Sequence, residues 1–349
     1  MKEYIPHVTI IVLNWNGWED TVECLESLYQ IKYSNYQIIL VDNASEDDSI
    51  ERIKEYCEGK LHVKSEFIDY NFDNKPITFY DLSEKELGTF IEKEDIDKLN
   101  SENEIIIIKN DDNYGFAGGN NVGIEFVLKN FKSDYILLLN NDTVVDKNFL
   151  AELVEIGQKN KKIGFLGPKT FFYENKERKD TLSFAGGLLN LYNGTPKVLG
   201  YQEIDNGQYD HVNKVDYVEG SCILINKEIF EKIGFLDTSY FGYWEEADLC
   251  IRGYNAGYMS VYVPKSKIWH KVSASFNSSI KLYYYSRNKI KFMKKNTNRI
   301  EYISFLLYFF AYGFWFTNFY YFYSALKEKS GFDRNKNFIK GIFSGLTDY

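Results

Sequence analysis

Five apolar residues in a row, Tyr135 to Leu139, run without alternation into Asn140-Asn141-Asp142-Thr143. An unbroken apolar run of this kind suits a strand covered on both faces, and the abrupt switch to amides, a carboxylate and a hydroxyl marks its carboxyl end. In open α/β sheets that end is where ligands bind. Oxygen-bearing side chains there suit a divalent cation, a diphosphate or a ribose. The same residues are also ordinary turn and N-cap formers, so the stretch alone reads equally as a capped turn or as a site.

The chain around it has the matching alternation. Apolar runs at Val8–Leu13, Tyr36–Val41 and Ile105–Ile108 predict strands, and amphipathic stretches at Asp20–Ile31, Asp47–Tyr56 and Gly118–Asn130 predict helices. This order predicts an α/β fold with a parallel sheet and helices on both faces. Two further strand ends carry polar groups, Asn14-Trp15-Asn16-Gly17 and Asp42-Asn43-Ala44-Ser45, and in such a sheet the three tips lie side by side. Asp42 can accept from an imide N–H or a ribose hydroxyl, or it can cap the next helix. Asn113-x-Gly115-x-x-Gly118-Gly119-Asn120-Asn121 opens a helix, and its glycines would permit close backbone approach to a ligand. It lacks the Gly-Lys-Ser/Thr of a phosphate loop.

A net charge of −9 conceals two opposite zones. Residues 65–104 hold twelve acidic and four basic side chains and read as a surface insertion, with some helix around Ser83–Leu99, whereas residues 281–299 hold seven basic side chains and no acid. The basic zone would meet phosphate or an anionic membrane surface, or simply be a solvated helix face; no nucleic-acid partner is expected. Four scattered cysteines, Cys24, Cys57, Cys222 and Cys250, form no Cys-x-x-Cys pair, which fits a reducing compartment. No secretory signal opens the chain.

The motifs together resemble family 2 glycosyltransferases, closest to the rhamnosyltransferase-like branch. Val8 to Gly17, Val41 to Ser45, Asn113 to Asn121 and Leu138 to Thr143 come in that family's order. Val218-Glu-Gly-Ser-Cys222, Gly234 to Asp237, Trp244 to Arg252 and Trp269-His270 follow. The resemblance implies the GT-A fold: a Rossmann-like mixed, mainly parallel sheet flanked by helices, here over residues 1–278. It implies a nucleotide-diphosphate sugar donor, bound by Asn14, Asp42, Asn43, Asn113, Gly115, Asn121, Asn140 and Asn141. By position in the family's Glu-Asp-x-Asp pattern, Glu246 is the catalytic base, with Glu where Asp is common. Trp244 and Glu245 fall on the acceptor side, although packing and helix-dipole roles compete for them. Asp248 lies four residues before Arg252, the spacing of a structural ion pair. The family's metal-binding Asp-x-Asp is here Asn140-x-Asp142, so a Mg2+ or Mn2+ ion would depend on Asp142, with His270 as second ligand.

The aromatic residues, 29 Tyr and 27 Phe among them, are densest in the tail: Tyr302 to Leu326 holds fourteen aromatic side chains and no formal charge. As one helix it would be about 38 Å long, enough to cross a hydrocarbon core of about 30 Å. Yet Tyr and Trp run through its middle, and Gly313, Thr317 and Asn318 interrupt it. A surface-lying or re-entrant helical pair over residues 279–349 is favoured, with Arg287, Lys289, Lys291, Lys294, Lys295 and Arg299 facing lipid phosphates on the cytoplasmic side. Arg287 could also meet an acceptor pyrophosphate. A hairpin packed on the catalytic region, or a homodimer interface, is the alternative. The whole predicts an inverting glycosyltransferase using a UDP- or dTDP-sugar, rhamnose being the leading guess, and a lipid-linked or growing glycan acceptor. A sugar-phosphate nucleotidylyltransferase and a non-catalytic, membrane-bound nucleotide-sugar-binding protein are the rivals.

Overall fold

The structure, a computed structural model, describes residues 4–87, 103–173, 180–272, 278–327 and 330–347. Its centre is one sheet of eleven strands. The first half is built from β1 (Val8–Asn14), α1 (Trp18–Leu28), β2 (Tyr36–Asp42), α2 (Ser49–Cys57), β3 (Thr78–Ser83), β4 (Glu104–Lys109), α3 (Gly115–Asn130) and β5 (Tyr135–Asn140). Strands β3, β4, β2, β1 and β5 lie side by side in that order, all parallel, as βαβ crossovers require. Side-chain alternation along each strand serves two cores. Ile10, Val12, Ile38 and Leu40 enter one, while Ile11, Ile39 and Val41 enter the other.

The second half contributes β6 (Thr143–Val145), α4 (Phe149–Gln158), β7 (Ile163–Phe172), β8 (Leu182–Phe184), β9 (Gly187–Asn190), β10 (Thr195–Val198), β11 (Asn213–Val215), β12 (Cys222–Asn226), α5 (Glu228–Ile233), α6 (Glu245–Asn255) and β13 (Met259–His270). Strand β12 runs antiparallel between β5 and β7, and β13 continues the sheet beyond β7. Strands β9 and β10 form a separate hairpin. The sheet is thus mixed but mainly parallel.

The acidic insertion is not merely a surface excursion. Its β3 is the edge strand of the main sheet, paired in parallel with β4 from Thr78↔Glu104 to Ser83↔Lys109. Before it, the Lys75 ammonium reaches 2.9 Å from the fully buried Glu26 carboxylate and lies over the Tyr56 ring. That buried charge pair ties the segment to α1 and α2. Of the helix expected over Ser83–Leu99, a single turn at Glu84–Glu86 is present, and residues 88–99 lie outside the described residues.

Four helices close the chain: α7 (Ser278–Asn296), α8 (Arg299–Tyr308), α9 (Phe314–Lys327) and α10 (Ser330–Thr347). One π turn, Phe309–Gly313, joins α8 to α9 without a break in the helix. Such bulges relieve local crowding at the expense of straightness. Helix α10 folds back along α9 and α7, with Asn335 Nδ2 donating to both the carbonyl and the side-chain oxygen of Asn318. Phe305 and Phe309 turn inward, but Leu307, Trp315, Phe316 and Phe319 are more than half exposed.

Candidate active site

Register alone brings the first polar cluster together. Asn14 ends β1 opposite Asp42 at the end of β2, and Leu13 pairs with Asn140 at the end of β5. Asn14 Nδ2 donates to Asp42 Oδ1 at 2.7 Å, and Ser45 donates to the same carboxylate through its backbone N–H and its hydroxyl. Asn141 Nδ2 reaches the Gly17 carbonyl and Thr21 Oγ1, which links the third strand end to the first. Asn43 is a connector: its Nδ2 donates to Asn113 Oδ1 and the Gly115 carbonyl, and its Oδ1 accepts from Asn110. The result is a cross-braced floor of amides and one carboxylate over the carboxyl ends of the parallel strands.

The glycines of 115–119 are required by packing. A Cβ on Gly119 would sit 2.6 Å from Leu13 Cδ1 and 3.0 Å from Asn43 Oδ1, so the residue lets α3 settle on the end of β1. Gly115 has φ +69° and would meet the Phe241 carbonyl at 2.5 Å. Asn121 spends both ends of its amide on the Leu236 backbone, at 2.8 and 3.1 Å.

Beside this floor lie Asp142 and His270. Strand β6 pairs antiparallel with the end of β13, placing His270 opposite Thr143 and hence next to Asp142. His270 Nε2 is 3.1 Å from Asp142 Oδ1, and both residues are buried. Burial lowers the imidazole's affinity for a proton, but the Asp142 charge outweighs it and raises the pKa. Two ligands at right angles on an octahedral ion with bonds of about 2.1 Å are about 3.0 Å apart. The observed spacing is that of a hydrogen-bonded pair and is equally compatible with two neighbouring ligands of one cation. Among the described residues no group of three or more His, Cys, Asp or Glu could hold a metal, so this pair would need donor oxygens or water to complete a shell.

Glu246 sits in the first turn of α6 and is half-buried at the wall of a cavity of about 200 Å³. Burial, reinforced by the Glu219 charge, pushes its carboxyl up to about 7. A carboxylate poised there suits proton abstraction near neutrality. Trp244, Tyr217, Tyr243 and Tyr285 form aromatic walls, and Leu189 and Pro196 of the β9–β10 hairpin close one side. Glu245 turns away from the cavity and is buried; burial and the adjacent Glu246 raise its carboxyl well above the ordinary range. Asp248 has the structural role its spacing predicts, accepting from Arg252 Nε at 2.7 Å. Glu219, within the Val218–Cys222 motif, was visible in the sequence but carried no assigned role.

The basic tail departs from expectation. Arg287 Nη2 donates to the carbonyls of Ser239 and Tyr240, Lys295 pairs with Asp237 and Asp248, and Lys289 lies against the Phe305 and Phe309 rings. Arg287 and Lys289 turn into the protein, and Lys295, although exposed, commits its charge to two carboxylates, because carbonyls, carboxylates and ring faces lie within their reach. Lys294 and Arg299 are exposed.

Residues 93–284, more than half of the chain, match the model described as glycosyltransferase like family 2, and residues 9–73 match that of glycosyl transferase family 2. The chain belongs to glycosyltransferase family 2. A low-salt glycan biosynthesis hexosyltransferase of Haloferax volcanii is 26% identical over 58% of this chain and 66% of its own length. Rhamnosyltransferase WbbL of Escherichia coli is 29% identical over 43% of this chain and 58% of its own. The chain thus spans less than two thirds of each of these relatives. In architecture it is similar to a mannosyltransferase of Pyrobaculum calidifontis solved with GDP-Man and Mn2+ (TM-score 0.55, 11% identity, 99% of this chain and 88% of that one). It is also similar to GalNAc-T7 solved with UDP, GalNAc and Mn2+ (TM-score 0.56, 14% identity, 84% of this chain and 48% of that one). These likenesses establish the GT-A fold for this family 2 member.

Proposed function

We propose that the protein is an inverting glycosyltransferase that moves a hexosyl group from a nucleoside diphosphate sugar to a hydroxyl of a glycan or lipid-linked acceptor. The observation that carries this reading is the position of Glu246 in the first turn of α6 at the wall of an aromatic cavity, where burial raises its carboxyl above the ordinary range. Glu246 takes the acceptor hydroxyl's proton as that oxygen attacks the anomeric carbon. The bond from that carbon to the diphosphate oxygen breaks on the opposite side, and the configuration inverts. Asp42, braced by the buried Asn14, would accept from the nucleoside. Asp142 and His270 would hold a Mg2+ or Mn2+ ion, whose chemistry is to neutralise charge on the departing diphosphate. UDP- or dTDP-rhamnose is the leading donor, on the strength of the likeness to rhamnosyltransferase WbbL.

In this reading residues 1–278 form the catalytic domain, and residues 279–349 attach it to the cytoplasmic face of a membrane. Helix Arg299–Tyr323 is long and apolar enough to cross a bilayer, and only 11% of its apolar window is buried. Helix α10, however, is packed along α9 and carries Arg334, Lys336 and Lys340, whose charges a crossing would drag into hydrocarbon. Lying in the interface costs nothing comparable: the outer aromatic face enters the acyl boundary while α10 stays among the headgroups.

The test is Glu246→Gln, assayed by nucleoside diphosphate release from UDP- and dTDP-sugars. Transfer should vanish while UDP affinity in Mn2+ stays unchanged. Undiminished turnover would sink the assignment.

A further inference from the structure

The loop before the base helix is held from the C-terminal region. Between Asp237 and Glu245 the chain contains three non-glycine residues in the left-handed region, Phe241 (φ 64°), Tyr243 (φ 69°) and Trp244 (φ 78°). Such conformations persist only where surrounding contacts over-determine them. Trp244 is also the N-cap residue of α6, so the shape of this loop sets where α6 begins and where Glu246 points. A loop folded this way leaves its carbonyl groups without ladder partners, and buried carbonyls must find donors elsewhere.

They find them on α7. Asn288 is completely buried, and the two hydrogens of its Nδ2 are shared among the carbonyls of Tyr240 (2.9 Å), Gly242 (2.7 Å) and Tyr243 (2.9 Å). Its own Oδ1 accepts from Arg287 Nε at 2.9 Å, while Arg287 Nη2 takes the Ser239 and Tyr240 carbonyls at 2.7 and 2.9 Å. Ring contacts repeat the grip: Phe241 stacks on Tyr284, and Trp244 packs between Tyr285 and Phe292. About two turns further along α7, Lys295 and Asn296 hold Asp248 of α6 itself.

We infer that Asn288 is a positioning residue of the transfer reaction: its amide, from the C-terminal helical region, holds the strained 240–244 loop in the shape that aims Glu246 into the acceptor cavity. The C-terminal region is then a working part of the active site as well as an attachment. The inference rests on Glu246 being the base. Shortening Asn288 orphans the Gly242 and Tyr243 carbonyls and leaves that of Tyr240 to Arg287 alone, and the loop relaxes by rotating its left-handed residues, which carries the first turn of α6 out of line. A displacement of about 1 Å at a reacting group costs about 100-fold in rate.

The experiment uses the full chain with Asn288→Ala and with Asn288→Ser, which keeps one hydroxyl donor. Turnover is read as nucleoside diphosphate release from the best UDP- or dTDP-sugar, ligand binding as UDP affinity in Mn2+, and folding by circular dichroism. For Asn288→Ala, kcat should fall by about 100-fold, with UDP affinity within about twofold. The acid limb of its pH profile should move below that of the parent as Glu246 becomes solvated, a shift that simple loss of stability does not produce. Asn288→Ser should lie between. Folded variants with parental kcat and an unmoved acid limb overturn the inference, as does loss of the fold in both variants. Should Glu246→Gln keep its turnover, the base assignment fails instead; a dead Glu246→Gln beside fully active Asn288 variants removes only this inference.

Discussion

The acid limb of the pH profile offers a direct measure of the Glu246 environment. Its ordinary value is 4.5, and burial with the Glu219 charge moves it to about 7. A general base acts only when ionised. At that value the ionised fraction is about one tenth at pH 6, about one half at pH 7 and about nine tenths at pH 8. The ratio kcat/KM, which reports ionisations of the free enzyme, should therefore rise about fivefold from pH 6 to 7 and less than about twofold from pH 7 to 8. An ordinary glutamate would be ionised throughout that range and would give a flat profile. The assay is the initial rate of nucleoside diphosphate release at fixed ionic strength in Mn2+, with donor well below its KM so that kcat/KM is read. A flat profile over this range, in a protein that Glu246→Gln inactivates, refutes the argument that burial tunes the base. The same shift affects stability. Because the folded state holds this proton more tightly than the unfolded chain, the ionised carboxylate destabilises the fold. The penalty is absent below about pH 4.5, grows through the interval and is complete above about pH 7. Glu246→Gln should accordingly raise Tm most above pH 7, while removing activity.

Three further substitutions test other parts of the structure. Gly119→Ala forces a Cβ to 2.6 Å from Leu13 and 3.0 Å from Asn43, and should cost about 1–3 kcal/mol in urea unfolding together with weaker UDP binding; parental stability would contradict the packing described. Lys75→Ala leaves the fully buried Glu26 carboxylate without its cation and should cost about 3–5 kcal/mol, a penalty that a dispensable insertion would not show. Phe316→Asp combined with Phe319→Asp places charge at two positions that are 78% and 67% exposed, so the fold and UDP affinity should survive. Co-sedimentation with phosphatidylglycerol vesicles should be lost, and binding equal to the parent's would exclude this face as the lipid contact.

Much of the sheet was legible because its central strands are buried on both faces. Val8–Asn14, Tyr36–Asp42, Glu104–Lys109 and Tyr135–Asn140 are apolar runs with polar ends, and local pattern suffices for those. The edge strand Thr78–Ser83 was not. Only Leu82 of its six residues is buried, so its sequence has neither a solid apolar run nor a clean alternation. It pairs because Glu104–Lys109 offers a free edge beside it, a fact about the neighbour and not about the segment.

The same division runs through the candidate site. Chemical type is local, so Asn14, Asp42, Asp142, Glu246 and His270 could be named from motifs. Commitment is not local: it depends on what distant segments leave unsatisfied. Arg287 and Lys295 read as lipid-facing charges until the folded chain sets carbonyls of Ser239 and Tyr240 and the carboxylates of Asp237 and Asp248 within 3 Å of them. Asn121 reads as a ligand contact until Leu236, 115 positions later, takes both ends of its amide. Asn288 is the converse case. In the sequence it is one amide among lysines, with no period or motif to mark it, yet three carbonyls of a strained loop converge on it. A polar side chain in a basic helix therefore reveals its work only through the unpaired groups it faces, and those exist only once the loop has adopted a conformation that no local preference would choose.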